Sequence, residues 1–141
     1  MSSEKREGGC LCGRIRYRIN GAPVATVACH CSHCQTQTGA AFGLTMVIKR
    51  SDFEVLSGEP RAFTFNADSG ALKTGRFCGD CGTRIWNENE RLPDTYNLKP
   101  GTFDDRSWFT PVAHVWLSSK QPWVVIPDDM PTFEKNPTKP G

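Results

Sequence analysis

Residues 8–20 read Gly8-Gly9-Cys10-Leu11-Cys12-Gly13-Arg14-Ile15-Arg16-Tyr17-Arg18-Ile19-Asn20, and the second half of this stretch decides the fold class. Over residues 14–20 basic and apolar residues alternate strictly, which puts Ile15, Tyr17 and Ile19 on one face of a strand and three arginines on the other. Working outward, residues 24–31 are rich in Val, Thr and Ala and predict a second strand, and Phe42, Leu44, Met46 and Ile48 alternate through a third. Between them, residues 32–39 have room for a short helical turn ended by Gly39. Residues 61–65 and 71–77 flank the polar connection Asn66-Ala67-Asp68-Ser69-Gly70, which predicts a hairpin. Further strands are expected over 83–86, 95–98 and 112–117, each bounded by Gly, Pro, Asp or Asn. Helical periodicity is nearly absent, so the expected class is all-β. From Gln121 onward a proline-rich segment reads as an extended tail pinned by Trp123, Val124, Val125 and Phe133, with its last five residues frayed.

A chain of 141 residues fits one domain, and residues 1–141 are read as one, with a core over about 8–134. Hydrophobic residues make up 38% and charged residues 23%, a thin supply of core that calls for another source of stability. No apolar run reaches the roughly 18 residues of a membrane-spanning helix, and residues 1–9 lack the apolar stretch of a secretory signal. A cytoplasmic protein with no membrane partner is expected. A net charge of +2 is far from the concentrated basic surface of a nucleic-acid binder, so no nucleic-acid partner is expected either. In a reducing compartment seven cysteines, an odd number, point to metal rather than to disulfides.

The cysteines fall into three groups: Cys10 and Cys12; Cys29, Cys31 and Cys34; Cys78 and Cys81. In Phe77-Cys78-Gly79-Asp80-Cys81-Gly82-Thr83 the two-residue spacing lets both sulfurs face one ion, and Gly79 and Gly82 tolerate the tight backbone of a zinc knuckle. Cys10 and Cys12 share a side of an extended chain and can supply two more ligands. Four thiolates would close a tetrahedral structural zinc site. Cys29 and Cys31 lie on one side of a strand end, with Cys34 reachable after a turn; three ligands and an open position are the pattern of reactive zinc. Extended geometry turns His30 away from its neighbours and His33 lies inside the turn; either is available as a fourth ligand, His33 ahead of His30. A regrouping of Cys10 and Cys12 with the central cluster is left open by spacing alone.

These residues resemble the glutathione-dependent formaldehyde-activating enzyme family, which includes the domain of centromere protein V. The resemblance is carried by residues 8–13 with the strand Ile15-Arg16-Tyr17, by Cys29-His30-Cys31-Ser32-His33-Cys34-Gln35 with residues 38–42, by residues 77–83, and by His114-Val115-Trp116 and Pro122-Trp123. It implies a β-tent fold of short antiparallel strands with zinc knuckles and two zinc ions per chain. By matching positions, Cys10, Cys12, Cys78 and Cys81 would bind a structural ion, and Cys29, Cys31 and Cys34 a catalytic one. The implied activity is that of a carbon-sulfur lyase, joining a small thiol, glutathione, to a small aldehyde, formaldehyde, as S-(hydroxymethyl)glutathione.

Three thiolates leave a zinc site of net charge −1, a weak Lewis acid better suited to a fourth soft ligand than to activating water. A glutathione site would gather basic groups, for which Arg61, Lys73, Arg76 and Arg84 are candidates, or donors near Thr36, Thr38 and Gly39. His114 reads as a packed core histidine and Asp104-Asp105 as turn chemistry, so no catalytic side chain beyond the metal ligands is assigned. The rival class is a non-catalytic zinc module with two structural sites that binds a macromolecule, marked by a protein cap on the central ion.

Overall fold

The computed structural model describes residues 5–136; the tail end expected to fray lies outside them. In chain order the elements are β1 (Arg6–Gly9), β2 (Arg16–Ile19), β3 (Ala25–Cys29), α1 (Ser32–Thr38), β4 (Gly43–Lys49), β5 (Phe53–Ser57), β6 (Arg61–Asn66), β7 (Leu72–Phe77), β8 (Arg84–Asn89), β9 (Thr95–Leu98) and β10 (Ala113–Val115), with three short 3-10 turns. The protein is mostly β, as the alternating pattern requires. Among the described residues no helix is long and apolar enough to cross a membrane.

The chain divides into two compact units, each drawn from two separate stretches. The first comprises residues up to Val24 together with Met46–Trp108. In it β1, β2 and β5 form a three-stranded antiparallel sheet, and the Met46–Lys49 part of β4 pairs with β9, β9 with β8, β8 with β7 and β7 with β6, all antiparallel. The alternation in β2 does what it predicts: Ile15, Tyr17 and Ile19 are buried, while Arg18 pairs with Glu7 and Glu54, and Arg16 with Asp104. Tyr17 packs against Phe53 and Phe103, with ring centroids 5.5 and 5.6 Å away, and Phe53 meets Trp86 at 4.8 Å. Its hydroxyl donates to Thr102 Oγ1 at 2.6 Å, and Thr102 in turn donates to the Lys99 carbonyl at 2.7 Å. A Cβ at Gly8 would overlap the Thr102 carbonyl, so glycine there lets β1 approach this core.

The second unit comprises Ala25–Thr45 and the chain from Phe109 onward. Here β3 and β10 run parallel, with Ala113 opposite Val27, His114 opposite Ala28 and Val115 opposite Cys29. This pair is parallel where the ladders of the first unit are antiparallel. Parallel neighbours need a long crossover, and the chain between Cys29 and Ala113 provides one. The helical turn is present as α1, ended by Gly39 in the left-handed conformation, φ 65°. The tail is pinned differently from expectation. Val124 and Phe133 are half-buried as expected, but Trp123 and Val125 are 71% and 88% exposed; the tail is held also by backbone bonds, from the His114 amide to the Pro131 carbonyl and from the Phe133 amide to the His114 carbonyl, both at 3.0 Å.

Candidate metal centres

The first unit gathers Cys10, Cys12, Cys78 and Cys81, whose sulfurs all lie within 4.8 Å of one another. Two similar turns bring them there. In one, the Gly13 amide donates to the Cys10 carbonyl and the Cys10 amide to the Ile15 carbonyl; in the other, the Gly82 amide donates to the Cys78 carbonyl and the Cys78 amide to the Thr83 carbonyl. The glycine closing each turn has a positive φ, 83° at Gly13 and 80° at Gly82. Gly79 has a different reason to be glycine: a Cβ there would overlap the Arg61 side chain. The amides of Ile15 and Asp80 point at the sulfurs of Cys10 and Cys78, at 3.3 and 3.4 Å. Thr83 ties the turns together, its hydroxyl accepting from the Leu11 amide at 3.1 Å and lying 3.2 Å from Cys81 Sγ.

Four sulfurs at about 2.3 Å from one tetrahedral ion lie about 3.8 Å apart. Here Cys10 Sγ and Cys12 Sγ are 3.5 Å apart, and Cys12 Sγ and Cys78 Sγ 3.7 Å. The thiols compete for charge. Hydrogen bonds from Thr83 hold Cys81 down at about 5. At Cys12 the Arg14 amide favours the thiolate, yet burial and its three sulfur neighbours outweigh it and carry the thiol up to about 12. Sulfurs this close cannot all ionise without a cation to share. The donor set and its spacing therefore fit a divalent soft-ligand ion such as zinc.

The second unit gathers Cys29, Cys31 and Cys34, again within 4.8 Å, and all half-buried. Cys29 ends β3, Cys31 is extended at φ −65°, ψ 157° and caps α1, and Cys34 lies in the first turn of that helix, its amide donating to Cys31 Sγ at 3.3 Å. Bonds from the sulfurs of Cys29 and Cys34 and from the Cys34 and His33 amides push Cys31 down to about 2, while the sulfurs of Cys31 and Cys34 and burial push Cys29 up. One thiolate is favoured and its neighbour opposed, which again calls for a cation. Among the described residues neither His30 nor His33 joins the set of donors.

His30 turns inward, as extended geometry requires of a residue between two cysteines that share a side. Its ring is fully buried, packs against Phe42 at 5.0 Å, and its Nε2 lies 2.8 Å from His114 Nδ1. Burial lowers both imidazoles, so the pair is neutral. Gln35 fastens the loop from the other side, donating to the carbonyls of His30 and Ser119 at 2.8 and 2.9 Å and accepting from Gln121 at 2.9 Å. The packed-core reading of His114 holds. Its bond to His30 and the Gln35 clamp escaped the sequence, because both depend on which segment lies beside β3.

The other candidates separate. Arg76 pairs with Glu88 at 2.9 Å. Thr38 is a turn residue, donating to the Cys34 carbonyl and accepting from the Ala40 amide. Asp104 pairs with Arg16, and Asp105 accepts from the Ser107 amide and hydroxyl, so these two acids serve structure.

Comparison with known proteins bears on the family and the fold. The profile described as glutathione-dependent formaldehyde-activating enzyme matches residues 5–119. A Halomonas elongata protein bearing that same name, provisionally, is 26% identical over 125 residues, covering 85% of this chain and 80% of its own. A crystal structure of a Rhodobacter sphaeroides protein from a structural genomics programme superposes with a TM-score of 0.57 at 18% identity, covering 74% of this chain and 91% of its own, a likeness of fold.

Proposed function

Because the chain belongs to the glutathione-dependent formaldehyde-activating enzyme family, we propose that it is a zinc-dependent enzyme of the carbon-sulfur lyase type, acting on adducts of a small thiol such as glutathione with a small aldehyde such as formaldehyde. In the synthetic direction the thiol sulfur bonds to the aldehyde carbon and the thiol proton ends on the oxygen. Cys10, Cys12, Cys78 and Cys81 hold a structural zinc in this reading, and Cys29, Cys31 and Cys34 hold the reactive one. Residues 1–141 then act as one family domain, two zinc ions per chain, in the cytoplasm.

The observation that carries the proposal is the set of three sulfurs without a fourth protein donor among the described residues. An ion bound there supplies an open coordination position, for a substrate sulfur or a carbonyl oxygen. The remaining work falls to the chain. The Cys34 and His33 amides favour thiolate at Cys31; Gln35 and the buried His30–His114 pair fix the loop that presents the sulfurs, so geometry is set before substrate arrives. The interaction-module reading requires a protein cap on this set, and His33 lies outside it.

The test is zinc content and turnover measured together. Wild-type protein should hold two zinc ions and speed equilibration of the thiol-formaldehyde adduct followed by NMR, while Cys31→Ser should keep one zinc, stay folded and lose the activity. A folded wild type with two zincs and no rate above background with any small thiol would sink the enzyme reading.

A further inference from the structure

In the first unit the strand β6 lies at the end of its ladder: among the described residues β7 is its one strand neighbour. Which of its backbone groups face away follows from the register. The Ala67 amide donates to the Ala71 carbonyl, and the Glu90 amide to the Leu72 carbonyl on the other side of β7. Bonded pairs recur every second residue of an antiparallel ladder, so Arg61, Phe63 and Phe65 bond to Phe77, Gly75 and Lys73. Ala62, Thr64 and Asn66 therefore point their amides and carbonyls outward, and no strand among the described residues meets them there.

Open edges are ordinarily guarded by proline, bulges or inward charge. Here β6 has no proline, no bulge against β7 and a single charge, Arg61, at its first position. In their place stand two rings. Phe63 is 58% exposed and stacks on Phe65, with centroids 6.2 Å apart and planes 17° from parallel. Gly75, opposite Phe63 on β7, has no side chain to cover it. The sequence of this edge also complements itself. A second copy laid antiparallel, with Thr64 opposite Thr64, sets Ala62 opposite Asn66, so that every outward residue enters a bonded pair. The same register sets Phe63 opposite Phe65 twice, in the closer, non-bonded kind of pair where side chains meet. Arg61 then falls opposite Ala67 rather than opposite another arginine.

We propose that β6 is an interaction surface for a second copy of this chain, joined edge to edge about Thr64 in a two-fold dimer. Such a contact uses up both edges and stops at two. A strand of six residues makes a small interface, so association is of the weak, concentration-dependent class. It depends on neither set of sulfurs and stands apart from the lyase reading.

Sedimentation of the zinc-loaded full chain over a range of concentrations tests this. The mass should rise to that of two copies and no further, and the amides of Ala62, Thr64 and Asn66 should exchange with deuterium more slowly as concentration rises, a readout on wild type that is independent of how well any variant folds. Phe63→Lys, at an exposed position, should weaken self-association about tenfold or more, because two ring pairs are lost. Thr64→Pro should abolish it by removing the central outward amide, while the β6–β7 ladder keeps its bonds. Mixing Phe63→Lys with Phe65→Glu should restore association, since this register sets the two introduced charges opposite each other. A wild type that stays monomeric up to about 1 mM, growth beyond two copies, a dimer that Phe63→Lys and Thr64→Pro both leave intact, or a mixture that associates no better than either variant alone would each overturn the proposal.

Discussion

Replacing Gly82 and Gly79 by alanine, one at a time, separates two reasons for glycine within a single turn. At Gly82 nothing lies within 4 Å of a new Cβ, but φ is 80°. The cost is then purely conformational, about 1–2 kcal/mol for a non-glycine residue forced left-handed. At Gly79 the new Cβ overlaps Arg61, but the atoms in the way are the stem of an exposed, flexible side chain that can swing aside. The expected cost is below about 0.5 kcal/mol. Crowding alone predicts the reverse order. Urea unfolding of the zinc-loaded proteins at fixed free zinc measures both, and about 4 °C of melting temperature per kcal/mol gives a second reading for a chain of this length. Gly82→Asn should fall between, because asparagine tolerates the left-handed region better than alanine. If Gly79→Ala proves as damaging as Gly82→Ala, the strain argument for the turn is wrong.

Three further outcomes follow from the geometry. Titration with a chelator should remove zinc from the three-sulfur set before the four-sulfur set, read as two phases of release of which Cys31→Ser keeps only the slower; release in a single phase would contradict the difference in ligand number. Tyr17→Phe should cost about 1 kcal/mol by leaving the Thr102 hydroxyl short of a donor, and Thr102→Val should cost at least as much, since it leaves the buried Tyr17 hydroxyl without its acceptor and removes one of the two hydrogen bonds the Lys99 carbonyl accepts, the Thr102 amide keeping the other. The hydrogen bond from Arg16 holds the Asp104 carboxyl below the usual aspartate range, so its stabilisation is present above the unfolded value of about 3.9 and is lost as pH falls through the lower folded value. For this partly exposed pair the effect should stay under about 1 kcal/mol, and Asp104→Asn should match wild-type stability at pH 2 while falling short of it at pH 7.

Most of the strands were legible because their faces differ in burial. Residues 14–20 alternate and become β2, and the hairpin around residues 66–70 becomes β6 and β7. The grouping of cysteines was legible from spacing, although Cys10 and Cys12 meet in a turn, closed by the Gly13 amide on the Cys10 carbonyl, and not along an extended chain as expected. The strand β5 went unread: in Phe53–Ser57 the first residue is half-buried and none is fully buried, so burial there does not alternate between two faces. Pairing across long stretches of chain was also hidden, and with it the parallel β3–β10 ladder and the His30–His114 bond. The register shift of β7 against β8 between Arg76 and Phe77 was hidden too, since one extra residue leaves no mark in composition.

The four-sulfur set joins residues 66 apart, Cys12 and Cys78, and the segment between them contains Cys29, Cys31 and Cys34. With an ion held at the four-sulfur set, that segment is a closed ring in all but name. A single cut anywhere between Cys12 and Cys78 would then yield two fragments that still travel as one particle, and parting them would take a chelator or acid rather than a reductant.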